Sequence, residues 1–141
     1  MTEKEKAREI VDRMFEHDAF SQWLGIQRLK QEVGYCLLQM TVRPEMLNGF
    51  GIAHGGITFS LADSALAFAC NSTGRKAVSI ETSIAHTAPV KSGDTITAEA
   101  VEESRGNRIA HYKVTVKNQD DAIVGLFKGI VYRKGETWAF N

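Results

Sequence analysis

The sequence is poor in several residues and patterns that mark common protein classes. Its 141 residues include only two prolines and two cysteines, and its formal net charge is zero. Cys36 and Cys70 lie far apart and form no CxxC pair, so we expect reduced, packed thiols. The neutral charge balance argues against a protein that binds nucleic acid electrostatically.

Long hydrophobic runs and several enzyme motifs are missing too. No apolar stretch is long enough to span a membrane, and the N-terminus is too charged for a secretory signal. The serine-hydrolase elbow, the phosphate loop and the dinucleotide fingerprint are absent. His17, His86 and His111 are scattered, with no HxxxH or HxH pair, so no metal site is expected. We predict a soluble cytoplasmic protein with one domain over residues 1–141.

What the sequence does contain is one helix-like stretch that is apolar on nearly every side. Residues 56–71 are rich in Ala, Leu and Phe, lack proline, and are followed by Gly74, which suits a left-handed C-terminal stop. Because the apolar residues do not form a stripe, we predict that this helix is buried.

Asp63 is the unusual residue of this helix, because no other Asp, Glu, Lys or Arg occurs between Glu45 and Arg75. An unpaired buried carboxylate is energetically costly, so its presence needs a reason. It could accept hydrogen bonds from the backbone or from neighbouring Ser and Thr side chains. Alternatively, it could be a functional acid.

The start of the helix reads Ala53-His-Gly-Gly56, without a good capping residue before Gly55. The first amides of a helix lack internal partners and carry the positive end of its dipole. We therefore expect amides without a side-chain cap, open to a ligand oxygen. A glycine pair alone could simply relieve crowding in a turn, but together with a lone acid it favours a site.

Four segments of this region resemble the hotdog-fold thioesterases, namely residues 46–49, 54–56, 59–63 and 68–72. Within that group they are most similar to the phenylacetate-degradation acyl-CoA thioesterases. The pattern Asn48-x5-His-Gly-Gly-x6-Asp63 carries the resemblance. It implies an α+β hotdog fold, in which an antiparallel sheet wraps around a long central helix. It also implies homodimers, often assembled as dimers of dimers.

The rest of the chain supplies matching elements. We predict an amphipathic helix over 2–17, packed on the domain. A short turn or helix over 18–24 is expected to place Phe20 and Trp23 against the body. Alternating residues and short connections predict an antiparallel sheet. Its six strands are expected at 25–32, 35–43, 77–87, 94–104, 108–118 and 122–133.

The resulting functional prediction is hydrolysis of an acyl-CoA thioester, with aryl-acetyl-CoA suggested by the resemblance. Such chemistry needs a donor at the carbonyl oxygen and a carboxylate that activates water or attacks directly. Gly55 and Asp63 fit these roles, and Asn48 is either a second donor or a turn stabiliser. His54 is expected to orient the loop or the thioester. The remaining substrate-binding candidates are Gly56 and, as sources of a helper hydroxyl, Ser79, Thr82 and Ser83.

CoA is part of the substrate in this prediction, and neither a metal nor an organic cofactor is required. Surface cations could meet the CoA phosphates, with Lys91, Arg105 and Arg108 as candidates. Two alternatives remain open. A hotdog acyl-CoA hydratase or dehydratase would use His54 with Asp63, and a non-catalytic sensor would only bind acyl-CoA.

The spacing of Gly55 and Asp63 has a consequence for assembly. Eight helical positions span about 12 Å at a rise of about 1.5 Å per residue. The reacting carbonyl and its attacking water must each lie within about 3 Å of their protein groups. We therefore predict that a two-fold partner brings Asp63 of one chain to Gly55 and Asn48 of the other.

Overall fold

The computed structural model describes residues 1–140 and contains the predicted succession of helices and strands. The helices are α1 (Glu3–Glu16), α2 (Ala19–Leu24) and α3 (Gly55–Asn71), with a short 3-10 turn at Pro44–Met46. The strands are β1 (Gln27–Glu32), β2 (Tyr35–Thr41), β3 (Arg75–His86), β4 (Thr95–Arg105), β5 (Ile109–Lys117) and β6 (Ile123–Thr137). The predicted α+β fold is confirmed, and β6 continues four residues beyond its expected end at 133.

The six strands form one antiparallel sheet in the order β1-β2-β4-β5-β6-β3. Short turns join β1 to β2 and β4 to β5 to β6, whereas the long segment that contains α3 separates β2 from β3. Strand β3 is the last strand in this order, so it lies at one edge and pairs only with β6. Two of its apolar side chains, Val78 and Ile80, are 47% and 59% exposed. An exposed edge with apolar side chains is a ready surface for pairing with another strand.

Helix α3 packs against five of the six strands and is buried over most of its length. Its approach to the sheet is close at Gly129 of β6, where an added Cβ would stand 2.5 Å from Leu66 Cδ2. A side chain there would force the helix and sheet apart, so glycine is required for packing. The predicted burial of the helix is confirmed. No helix among residues 1–140 has the length and apolar character to cross a membrane.

Helix α1 packs on this unit as predicted. A capping box at Thr2 starts it, and Ala7, Ile10 and Val11 are buried. Met14 and Phe15 are partly buried against the core.

The predicted short helix over 18–24 is confirmed as α2, but the predicted packing of its two aromatic residues against the body is wrong. Phe20 and Trp23 are 53% and 50% exposed, because the helix turns Ser21 and Leu24 inward instead. Residues three apart share a helix face, so burying 21 and 24 rotates 20 and 23 outward. The two exposed rings stack on each other, with centroids 6.0 Å apart.

Candidate active site

The start of α3 is capped by a side chain, contrary to the sequence prediction. His54 is the N-cap residue, and the Gly56 amide donates to its Nδ1 at 2.9 Å. Sequence reasoning missed this cap because histidine is not among the preferred capping residues. An Nδ1 that accepts this bond leaves the ring proton of a neutral imidazole on Nε2. His54 thus orients the helix start and occupies one of its two glycine amides.

The neighbouring Gly55 amide donates no hydrogen bond to any group within residues 1–140. It is the amide that remains available to a ligand oxygen. An added Cβ at Gly55 would stand 3.1 Å from His86 Nε2 and 3.4 Å from its Cε1. The glycine therefore makes room for the His86 imidazole beside the free amide.

The position of His86 could not be read from the sequence, where it is one isolated histidine in a strand. Its imidazole is near Gly55 only because the end of β3 returns to the start of α3. His86 is exposed, and its side chain makes no hydrogen bond within residues 1–140.

Asn48 lies in the loop before α3 and stabilises a turn. Its Oδ1 accepts hydrogen bonds from the amides of Phe50 at 2.9 Å and Ile52 at 3.4 Å. The loop is tied to the helix start, because the His54 amide donates to the Met46 carbonyl. The Nδ2 group of Asn48 has no partner in the described chain and is free to donate. Both functions considered for Asn48 are therefore compatible.

Asp63 lies two helical turns beyond Gly56 and is partly buried. Its carboxylate accepts no hydrogen bond from residues 1–140, and the adjacent Ser64 hydroxyl bonds to Ser21 Oγ instead, at 2.8 Å. Burial raises the pKa of the Asp63 carboxyl, and the charge of Asp18 raises this pKa further. Asp63 thus has no local partner that would account for its place in an apolar helix.

A cleft of about 250 Å³ gives access to Asp63 between α3 and the first residues of β3. Ser79 lines the same cleft. Thr82 and Ser83 line a different cleft, together with Tyr112 and Lys128. Of the three candidate hydroxyls, the structure brings only Ser79 to the cleft of Asp63.

The three cationic residues considered for the CoA phosphates do not lie together within one chain. Lys91 follows Val90, whose carbonyl accepts the Ala53 amide near the start of α3. Arg105 and Arg108 flank the β4–β5 turn, where Arg105 pairs with Glu102 and Arg108 donates to the Arg133 carbonyl.

The raised pKa of Asp63 leads to a testable pH dependence. If the carboxylate form is the active one, the acid limb of kcat/KM should lie above the ordinary Asp pKa of about 3.9. Asp18→Asn should move this limb to lower pH, because it removes the nearby charge and keeps a good capping residue. The measurement is kcat/KM between pH 4 and 8 for both proteins. An acid limb that Asp18→Asn leaves in place would contradict the assignment.

Comparisons with known proteins agree with this geometry. Residues 50–124, which include Gly55 and Asp63, match the thioesterase superfamily. The chain is 40% identical over 132 residues to the acyl-coenzyme A thioesterase PaaI of Escherichia coli K12, covering 94% of each chain. It is 30% identical over 115 residues to human acyl-coenzyme A thioesterase 13, covering 79% of this chain and 82% of the relative.

Solved structures give the same result. The E. coli PaaI protein from the phenylacetic acid degradation operon superposes with a TM-score of 0.94 at 39% identity, covering 96% of this chain and 99% of that one. The Streptococcus mutans protein smu.793, solved with acetyl-CoA, superposes with a TM-score of 0.78 at 28% identity, covering 80% and 91%. The resemblance seen in the sequence is confirmed: this chain belongs to the thioesterase superfamily and has its hotdog fold.

Proposed function

We propose that this protein hydrolyses acyl-CoA thioesters to a free acid and CoA. One observation carries this proposal: the same helix holds a Gly55 amide that donates no hydrogen bond and a partly buried Asp63 carboxylate without a hydrogen-bond partner. The names of its E. coli and human relatives, both acyl-CoA thioesterases, support the same activity.

The chemistry assigns one task to each group. The Gly55 amide and Asn48 Nδ2 donate to the thioester oxygen as negative charge builds on it. Asp63 either takes a proton from the attacking water or attacks the carbonyl carbon itself. In the first case the water oxygen bonds to the carbonyl carbon, the C–S bond breaks, the free acid leaves, and the CoA thiolate takes up the proton that Asp63 removed from the water. In the second case the C–S bond breaks to leave an anhydride between the acyl group and Asp63, and the thiolate takes up a proton from solvent. Water then cleaves this anhydride to the free acid and restores the Asp63 carboxylate. No step calls for a metal or an organic cofactor.

The site is proposed to form between two chains. In one chain Gly55 lies beside His86 at the end of β3, whereas Asp63 lines a cleft together with Ser79 near the beginning of β3. If the free edges of two β3 strands pair antiparallel about Thr82, His86 of one chain comes opposite Val78 of the other. Gly55 would then approach Asp63 of the partner subunit. The same contact would give hydrogen-bond partners to the backbone groups along the free edge of β3.

The preferred substrate class is proposed to be aryl-acetyl-CoA, in line with the phenylacetic acid operon of the E. coli relative. Release of free CoA thiol should be measured for acetyl-, aryl-acetyl- and long-chain acyl-CoA over a range of concentrations. We expect the highest kcat/KM for the aryl-acetyl esters, with no loss of activity in a chelator. A preference for long chains would refute the substrate class but not the thioesterase activity.

The same assay tests the reaction itself. Turnover of enoyl- or hydroxyacyl-CoA without thiol release would identify a hydratase or dehydratase, and binding without turnover would identify a sensor. Either result would overturn the proposed hydrolysis.

A further inference from the structure

We propose that the cleft between α2 and the start of α3 holds the acyl group of the substrate, with an aromatic acyl ring packed against Trp23 and Phe20. This acyl subsite rests on the proposed function, since it takes the thioester carbonyl to lie at the Gly55 amide. It assigns a function to the two aromatic side chains that face outward.

The cleft lies next to the proposed position of the thioester carbonyl. It has a volume of about 320 Å³, and both His54 and Gly56 belong to its wall. His54 and Gly56 flank Gly55 in the chain, so the proposal takes the acyl group to pass from a carbonyl at Gly55 over this wall into the cleft. The other lining residues are Phe20, Trp23, Glu45, Met46, Leu47, Ile57 and Ser60.

The aromatic wall is held in place by several contacts. The Ser21 hydroxyl, between the two aromatic residues, bonds to Ser64 Oγ of α3 at 2.8 Å. The Arg43 guanidinium donates to the Trp23 carbonyl and lies 5.0 Å from the centroid of the indole. The Phe20 ring stacks on the indole with an interplanar angle of 16°. Fixed rings that stay half exposed provide a preorganised surface for another ring.

The charges of the cleft favour an apolar ligand over the rest of the CoA molecule. Its single charged side chain, Glu45, is neutralised by Arg43, with Nε and Oε1 2.7 Å apart. The wall therefore offers no free cation for a phosphate, and few polar groups for the amides of the pantetheine arm. A volume of about 320 Å³ is at the small end of ligand pockets, which range from about 300 to 1,000 Å³. A compact aromatic acyl group fits these properties.

The test compares acyl-CoA selectivity among variants of the full-length protein. Trp23→Ala and Phe20→Ala should each lower kcat/KM for phenylacetyl-CoA by about 10-fold, since an aromatic partner is lost. Acetyl-CoA has no ring to pack, so its kcat/KM should change less than about 2-fold. Trp23→Phe should restore most of the loss, whereas Trp23→Leu should not. Tyr132→Ala, which removes a 40% exposed aromatic residue from β6, should leave both substrates unaffected.

Several outcomes would overturn the acyl subsite. Equal losses for phenylacetyl-CoA and acetyl-CoA would show that the aromatic residues support the helix start or bind CoA itself. Unchanged selectivity with a smaller assembly in gel filtration would show that the rings form a contact between copies of the chain. Unchanged selectivity and assembly would show that they do neither.

A binding measurement separates failure of this inference from failure of the proposed function. Trp138→Phe leaves Trp23 as the single tryptophan. A non-hydrolysable thioether analogue of phenylacetyl-CoA should then quench the fluorescence of Trp23, and the corresponding analogue of acetyl-CoA should quench this fluorescence much less. If the wild type releases no thiol but this difference is seen, the subsite stands and hydrolysis is refuted. Equal or absent quenching with the two analogues would refute the subsite.

Discussion

Replacing Asp63 by Asn is expected to lower kcat for acyl-CoA hydrolysis by at least about 100-fold, the scale of a positioned acid–base group. The amide has the same shape but can neither take a proton from water nor attack the carbonyl. KM should change much less, because the carboxylate acts mainly in the transition state. Thiol release under saturating and subsaturating substrate gives both constants.

The same variant should not lose stability. Burial raises the pKa of Asp63 in the folded chain, so the folded state holds this proton more tightly than the unfolded state. The wild type therefore loses stability as pH rises from the unfolded to the folded pKa. At neutral pH, Asp63→Asn should need at least as much denaturant to unfold as the wild type. Near-normal turnover in a folded Asp63→Asn protein would show that this carboxylate is structural.

Mixing two inactive variants is expected to restore activity, because each active site is proposed to use Asp63 from one chain and Asn48 from the other. The second variant is Asn48→Asp, which keeps the Oδ1 acceptor of the turn but removes the Nδ2 donor. Random pairing after co-refolding makes about half of the dimers mixed, and each mixed dimer has one intact site of two. Recovery should approach roughly a quarter of wild-type activity.

Different affinity tags on the two chains would show whether mixed dimers have formed. The matched control is a mixture of Asp63→Asn with the double variant Asp63→Asn/Asn48→Asp, in which no pairing creates an intact site. Mixed dimers with no more activity than this control would show that both groups act within one chain.

Much of the fold could be predicted because its signals are local. Helix α3 has no polar face that could be exposed to water, so its burial follows from the composition and periodicity of its sequence. Alternation and short turns specify an antiparallel sheet in the same way. Asp63 could be singled out from the sequence because a lone acid in a buried apolar helix is energetically costly whatever its tertiary surroundings.

Other features depend on contacts that the sequence does not specify. The outward direction of Phe20 and Trp23 follows from the pairing of Ser21 with Ser64, 43 residues away. Likewise, His86 reaches Gly55, and Ser79 reaches the cleft of Asp63, only because β3 runs alongside α3.

The sequence by itself therefore determined the central helix, the antiparallel sheet and the acid that the helix carries. Tertiary structure decided which amide at the helix start is free, which hydroxyl shares the cleft of Asp63, and which strand edge stays open. The physical reason is range: helix and strand periodicity depends on neighbours a few residues apart, whereas a site depends on packing between residues distant in the chain.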